Sequence, residues 1–386
     1  MQGPLLAIAS LLVLLILGEA AVRVLSLAVP SFRSGRFRQY DPVLGISLMP
    51  SRTVVHARGC FQGKVVTNDW GMRDRSRSLE NANHHLRIAL LGDSVIEGAH
   101  VCPDEVVTAR MEALLQGRGH WDAEVLNFGI AGIGTTQELL LYCSRARRFH
   151  PDVVVLLFVN NDVMNNSSVL QPKAYGVHTW FAPYFDLSPE GNLVFVPVAR
   201  RALPGLRSFL EDHSLLAYYV ERLWARVNGP LDTWEGVPLQ LGVFGDPPPD
   251  AAWVDAWRVT ELVLARLAQQ VAADGAQFIV LADPAPYRLD PLWRDRFEGE
   301  FGEVPPSFRT DNVERRLAVV GRRNHLSFDA LAPYFERYRD THGLQWPYFQ
   351  LTCDQHYSAL GHQVLAEAIV DALAKRRMLT PALAAR

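Results

Sequence analysis

Lysine is almost absent. Lys64, Lys173 and Lys375 are the only three, so Schiff-base chemistry has few candidates. None of them lies in a G-x-x-x-x-G-K-[ST] loop, which excludes a P-loop NTPase. Cysteine is scarce too: Cys60, Cys102, Cys143 and Cys353 form no C-x-x-C pair, which argues against a zinc knuckle. Their pairing is open from sequence, with disulfides compatible only with an oxidising compartment. There is no H-E-x-x-H motif, and no charge of one sign dominates. The 38 Lys+Arg against 41 Asp+Glu give a net charge of −3, so the basic footprint of a nucleic-acid partner is missing.

What is present is apolar. Hydrophobic residues make up 49% of the 386 and charged residues 20%, enough for a packed core and too much for a disordered chain. The length suggests two domains, or one large domain carrying insertions. Residues 5–17 are apolar apart from Ser10, and looser apolar sequence runs on to Val29, interrupted by Glu19 and Arg23. As one helix, 5–29 would measure about 37 Å, long enough to cross a bilayer with tilt. A single-pass membrane anchor over 1–29 is the favoured reading. A cleaved signal peptide competes, but no Lys or Arg precedes the apolar run; a buried or interfacial helix is the third reading. Arg23, Arg33, Arg36 and Arg38 follow the run and lean towards a cytoplasmic body.

Residues 30–85 read as a β-rich arm or linker. From there the pattern alternates. Strands are expected at 87–91, 124–128, 153–159, 277–281 and, more weakly, 326–328. Helices are expected at 105–115, 135–148, 255–273 and 364–375. The third strand is nearly all Val, Leu and Phe, as when both faces of a sheet are covered. Such alternation predicts an α/β fold: a parallel sheet with helices on both faces. The residues at about 170–254 break this rhythm and read as an insertion beside the sheet and over the site, with an amphipathic helix at 214–227 and the break Asp246-Pro247-Pro248-Pro249-Asp250. The domain proper is then 86–386.

In open α/β sheets ligands bind outside the carboxyl ends of the strands. Three expected strand ends carry polar residues there: Gly92-Asp93-Ser94, Gly129-Ile130-Ala131-Gly132 and Asn160-Asn161-Asp162. Before the last helix comes Asp354-Gln355-His356. Ester cleavage needs a nucleophile, a base, a group that orients the base, and donors for the oxyanion. Ser94 can supply the nucleophile, His356 the base and Asp354 its orienting carboxylate. The backbone N–H groups of Ser94 and Gly132 and the Asn161 side-chain amide can supply the donors. Taken singly, each residue has a structural explanation: a helix cap, a turn glycine, a surface ion pair. Their common placement at strand ends carries the chemical one.

These residues resemble the sequence blocks of the SGNH/GDSL hydrolase superfamily. Leu91-Gly92-Asp93-Ser94 is similar to its first block, which holds the nucleophilic serine. Asn127-Phe128-Gly129-Ile130-Ala131-Gly132 resembles the second, whose last glycine donates to the oxyanion. Asn160-Asn161-Asp162 resembles the third, usually G-x-N-D, with Val159 here in place of the glycine. Asp354-Gln355-His356 resembles the fifth, usually D-x-x-H, with one spacer residue fewer. His362, in a Gly361-His362 pair that resembles the family's helix start, is the alternative base. Thr67-Asn68-Asp69-Trp70-Gly71-Met72-Arg73 resembles a segment preceding the core in membrane-anchored bacterial members.

The resemblance implies a three-layer α/β/α sandwich with a five-stranded parallel sheet, a flavodoxin-like SGNH fold. It implies a serine esterase acting on acyl esters, acetyl or short acyl, of envelope glycans or lipids, with no metal or organic cofactor. An O-acyltransferase using the same site, or a non-catalytic glycan-binding envelope protein, are the alternatives. An envelope substrate places the body outside the cytoplasm, against the flanking arginines. Two rival motifs are weaker. Gly129–Gly134 follows the second strand rather than the first and lacks an acidic partner for a ribose. Cys353 lies three residues from His356, an awkward spacing for a thiolate–imidazole pair.

Overall fold

A computed structural model describes residues 2–28, 36–82, 85–119, 123–175, 182–198, 210, 213–217, 219–220, 223, 233–234, 237–302, 305–343 and 349–379. Five parallel strands, Arg87–Gly92, Glu124–Gly129, Val153–Phe158, Gln277–Ala282 and Ser327–Ala330, form the central sheet. In space they run fifth, fourth, third, first, second. The first strand pairs Leu91 with Phe128 on one side and with Leu156 on the other. The chain therefore steps out from the first strand to the second and then crosses back over the first to the third, and this reversal opens a crevice at the carboxyl ends of the first and third strands.

The pleat divides the core. Ala89, Leu91, Leu126, Phe128, Val154, Leu156 and Phe158 pack with residues of the helices Thr135–Ser144, Ala251–Ala273 and Asn312–Arg323. Ile88, Leu90, Val125, Val153, Val155 and Leu157 pack with those of Val107–Gly117, Ala332–His342 and Ala359–Lys375. Alternate residues feed opposite faces because successive strand side chains point to opposite sides, and both faces are covered. This is the three-layer sandwich expected from sequence.

Boundaries and the later helices differ from expectation. The helix expected from 105 starts at Val107, behind a 3₁₀ turn at Pro103–Glu105. The one expected at 135–148 ends at Ser144, with a separate 3₁₀ turn at Ala146–Phe149. The long helix starts at Ala251 because Asp250 caps it, accepting from the Trp253 N–H at 3.0 Å. The helices Pro291–Phe301, Asn312–Arg323 and Ala332–His342 were not anticipated; the first is strongly polar on average and carries little helical stripe. The expected helix at 214–227 lies largely outside the described residues. From the insertion, Phe185, Leu239, Leu241, Val243 and Phe244 join the core beside Trp253.

The arm forms two antiparallel hairpins, Arg38–Asp41 with Gly45–Leu48 and Thr53–Arg58 with Phe61–Val66. The segment at 67–73 fastens it down. Asn68 Oδ1 accepts from the N–H groups of Trp70 and Met72, and Gly71 turns at φ +70°, where a Cβ would lie 2.6 Å from the Leu48 carbonyl. Cys60, in the turn of the second hairpin, is disulfide-bonded to Cys353, 293 residues away; Cys102 and Cys143 are free thiols. The N-terminal helix Gln2–Ala28 contains the 25-residue apolar stretch Pro4–Ala28, in which an 18-residue run reaches a mean hydropathy of 2.6, long and apolar enough to span a membrane.

One buried cation ties the arm's end to the sheet. The Arg87 side chain is 1% exposed and pairs with Glu124 at 2.7 Å. It also donates to the carbonyls of Ser78, Leu79, Glu80 and Phe149 at 2.8–3.0 Å. Removing one partner of a buried ion pair strands the other. Arg87→Met is therefore expected to destabilise the protein by about 3–5 kcal/mol, read as a lower midpoint in denaturant unfolding. An unchanged midpoint would contradict this role.

Candidate active site

Ser94 opens a single helical turn, Ser94–Glu97, directly after the first strand. Asp93 caps that turn: its Oδ1 accepts from the Val95 N–H at 3.0 Å. No hydrogen bond engages the Ser94 or Gly132 backbone N–H among the described residues. That is the usual condition of the first amide of a helix, and Gly132 turns at φ +81°.

His356 approaches from the far end of the chain, on the strand Asp354–Tyr357, which pairs with Gln350–Leu351. Its Nε2 lies 2.8 Å from Ser94 Oγ. Its Nδ1 is hydrogen-bonded to Asp354 Oδ1, which also accepts from the His356 backbone N–H at 3.1 Å. The missing spacer residue has a physical answer here. In an extended strand, residues two apart share a face, so a D-x-H spacing sets the carboxylate beside the ring. Burial alone would raise the Asp354 pKa, but the hydrogen bond and charge of His356 bring it down to about 2. Asp354 is therefore an anion at neutral pH.

Asn161 follows the third strand. Its side-chain amide donates to Asp93 Oδ2 at 2.9 Å, and the second N–H of that amide is left for another acceptor. Val159, at the usual glycine position, has no positive φ and packs against the sheet core, so the backbone does not call for glycine. His362, the alternative base, is buried. Burial, with Arg73 nearby, lowers its pKa to about 3, and it makes no hydrogen bond to Ser94.

Several residues of the site had no readable signal. Glu97, fully buried, accepts from the Ala131 N–H at 2.7 Å and pairs with Arg38 of the first hairpin. It thereby fixes the loop that carries Gly132. Gly129 is required there, since a Cβ would sit 2.1 Å from the Glu97 backbone nitrogen. His100 stacks on His356 with ring centroids 3.9 Å apart and planes 18° from parallel. His100, Asp354 and His356 offer ligand atoms within 4.8 Å of one another. Stacked rings hold their lone pairs side by side rather than converging, so the trio does not fit a metal ion.

Behind the site lie Asp93, Glu138, Asp162 and Asp283, all buried. Asp283 accepts from Tyr357 Oη at 2.9 Å and Asp162 from the Val159 N–H at 2.8 Å. Both oxygens of Glu138 lack a partner among the described residues. Burial, reinforced by Asp93, pushes the Glu138 pKa well up; burial, with Glu138 and Asp93, does the same to Asp162.

A parallel α/β/α sandwich with Ser94 at its switch point and an imidazole on the serine is an arrangement able to carry out nucleophilic acyl transfer. The sequence profile of the GDSL-like lipase/acylhydrolase family matches residues 90–364. The chain belongs to this family and is a carboxylic ester hydrolase. No curated protein sequence matches it. Among solved structures it is similar to the lipase/acylhydrolase from Enterococcus faecalis, at 15% identity over 77% of this chain and 99% of that one, with a TM-score of 0.38. It is also similar to a catalytic mutant of Axe2, an acetylxylan esterase from Geobacillus stearothermophilus, at 15% identity over 74% and 93%, with a TM-score of 0.37.

The buried acids generate a pH prediction. Native Glu138 keeps a proton that the unfolded chain releases above the ordinary carboxyl pKa, so stability falls as pH rises from there towards the native pKa. Each pKa unit between the two states is worth about 1.4 kcal/mol. Glu138→Gln removes this titration. The variant is expected to lose less stability than wild type between pH 5 and pH 8 in urea unfolding; parallel losses would show that Glu138 does not hold its proton.

Proposed function

We propose that the protein is a membrane-tethered serine esterase, with Ser94 as nucleophile, His356 as general base and Asp354 as the group that orients it. The observation that carries this reading is the hydrogen-bond chain from Asp354 through His356 to Ser94. Ser94 Oγ adds to the acyl carbonyl while its proton passes to His356 Nε2. The Ser94 and Gly132 N–H groups and the free N–H of Asn161 stabilise the oxyanion. As the tetrahedral species collapses, the C–O bond to the alcohol breaks and His356 returns the proton to the leaving oxygen. Water then adds to the acyl-enzyme by the same route, releasing the acid and restoring Ser94. Asp354 stays ionised throughout and stabilises the imidazolium.

The substrate class we favour is an acetyl or short acyl ester of an envelope glycan or lipid, with the body outside the cytoplasm and the N-terminal helix as anchor. The Cys60–Cys353 disulfide supports that side, because disulfides persist in oxidising compartments. The arginine count is also weakened as an argument. Arg38 is engaged by buried Glu97, and the Arg36 Nε donates to the Arg38 carbonyl at 2.9 Å, so both have roles within the fold.

A fluorophosphonate probe is expected to label wild type and not Ser94→Ala; equal labelling would sink the nucleophile assignment. Asn161→Ala should lose about 3 kcal/mol of transition-state stabilisation, roughly a hundredfold in kcat, on acetylated sugars and short acyl esters. Undiminished turnover would remove Asn161 from the scheme. A reporter active only outside the cytoplasm, fused after Arg386, is expected to be active, whereas signal from a cytoplasm-only reporter would reverse the orientation.

A further inference from the structure

The strand that carries His356 is anchored at its C-terminal end, where buried Tyr357 donates to Asp283 and stacks on Phe335. Among the described residues its strand partner is the two-residue Gln350–Leu351, and a two-stranded ribbon by itself is marginal in water. The hold on its Asp354 end comes in part from the arm, outside the stretch that matches the family. Cys60 is bonded to Cys353, the residue directly before Asp354. The Cys60 N–H points at Cys353 Sγ and the Cys353 N–H at Cys60 Sγ, at 3.0 and 3.1 Å. A second connection runs through aromatic rings. Phe61, on the same hairpin, meets His100 edge to face at 4.7 Å, and the other face of contact is the stack of His100 on His356.

The hairpin backbone also lies against the chain at His100: a Cβ on Gly63 would come within 3.0 Å of the Ala99 carbonyl and 3.2 Å of the His100 carbonyl carbon. Arg73, buried, bridges the Lys64 carbonyl of the hairpin to that of Glu97 at 3.2 Å each. Burial, followed by the neighbouring His356, lowers the His100 pKa to about 2. The ring that faces His356 is thus neutral and adds no repulsion when His356 takes a proton.

We propose that the Thr53–Val66 hairpin is a clamp for the general base: the Cys60–Cys353 bond and the His100 ring are positioning elements that hold His356 on Ser94, and the enzyme works at full rate only while that disulfide is intact. The inference rests on the reading of His356 as the base. Both cysteines are exposed, so a dithiol can reach the bond. It transfers two electrons and two protons to the S–S bond, leaving two thiols on the protein and a disulfide on the reductant. Covalent continuity between the arm and Asp354 is then lost, and the Asp354 end of the strand keeps only noncovalent contacts.

The test uses the full chain in detergent, with turnover of a short acyl ester measured before and after dithiothreitol, below the melting temperature of the reduced protein. Reduction is expected to lower kcat roughly ten- to a hundredfold, the scale of a misplaced catalytic group, with KM little changed and recovery on reoxidation. A Cys60→Ser/Cys353→Ser variant should match the reduced enzyme and ignore the reductant. His100→Ala should lower kcat likewise, and His100→Phe, which keeps a flat ring against the base, should restore most of it. Full kcat after reduction, or a drop in the double-serine variant on adding dithiothreitol, overturns the clamp; so does a phenylalanine variant no better than alanine. Fluorophosphonate labelling of the oxidised protein separates the two layers. Without Ser94-dependent labelling both readings fall; with labelling and no response to reduction, only the clamp does.

Discussion

Everything in this protein is arranged around one constraint: a parallel sheet buried on both faces can offer polar groups only at the ends of its strands. Val153–Phe158 has no exposed residue, and the strands beside it are nearly as dry. Backbone groups inside the sheet are spent on neighbouring strands. The amides that remain free, at Ser94 and Gly132, lie where strands give way to turns. The carboxyl end of the first strand also lies where the chain reverses its winding, so helices leave room there rather than covering it.

Buried charge fastens the arm to the body, through Glu97 at the carboxyl end of the sheet and through Arg87 at its amino end. Glu97 and Arg38 pin the loop that carries Gly132, Arg87 gathers four carbonyls and Glu124, and Arg77 joins Asp74 and Glu112 at 2.8 and 2.9 Å. A buried ion pair is costly to desolvate and adds little net stability. Its usefulness here is geometric, since each of these side chains fixes a segment of the arm against a strand or a loop of the hydrolase body. The described part of the arm is therefore built into the body rather than strung in front of it.

The periodicity of the strands was legible because burial on both faces leaves an uninterrupted apolar run, and their order along the chain matches expectation closely. Ser94, Asn161 and His356 could be named because each sits in a short motif at a strand end or before the last helix, where polar residues interrupt apolar sequence. The helices at Pro291–Phe301 and Ala332–His342 were not legible because charged residues dominate them and keep their mean hydropathy low. Glu97, His100 and Arg38 carried no signal: a glutamate in a short turn, a histidine in a loop and an arginine in an arm look alike wherever they occur.

The amino-acid sequence by itself determined the layered α/β architecture, the apolar N-terminal helix and the cast of residues able to cleave an ester, because these follow from local pattern and local chemistry. Only the tertiary structure decided that Cys60 meets Cys353, that His100 lies flat on His356 and that a D-x-H spacing suffices to bring a carboxylate to the ring. The first two are contacts between residues far apart in the chain, whose energy depends on distance in space. The third depends on an extended backbone that a lone motif does not specify.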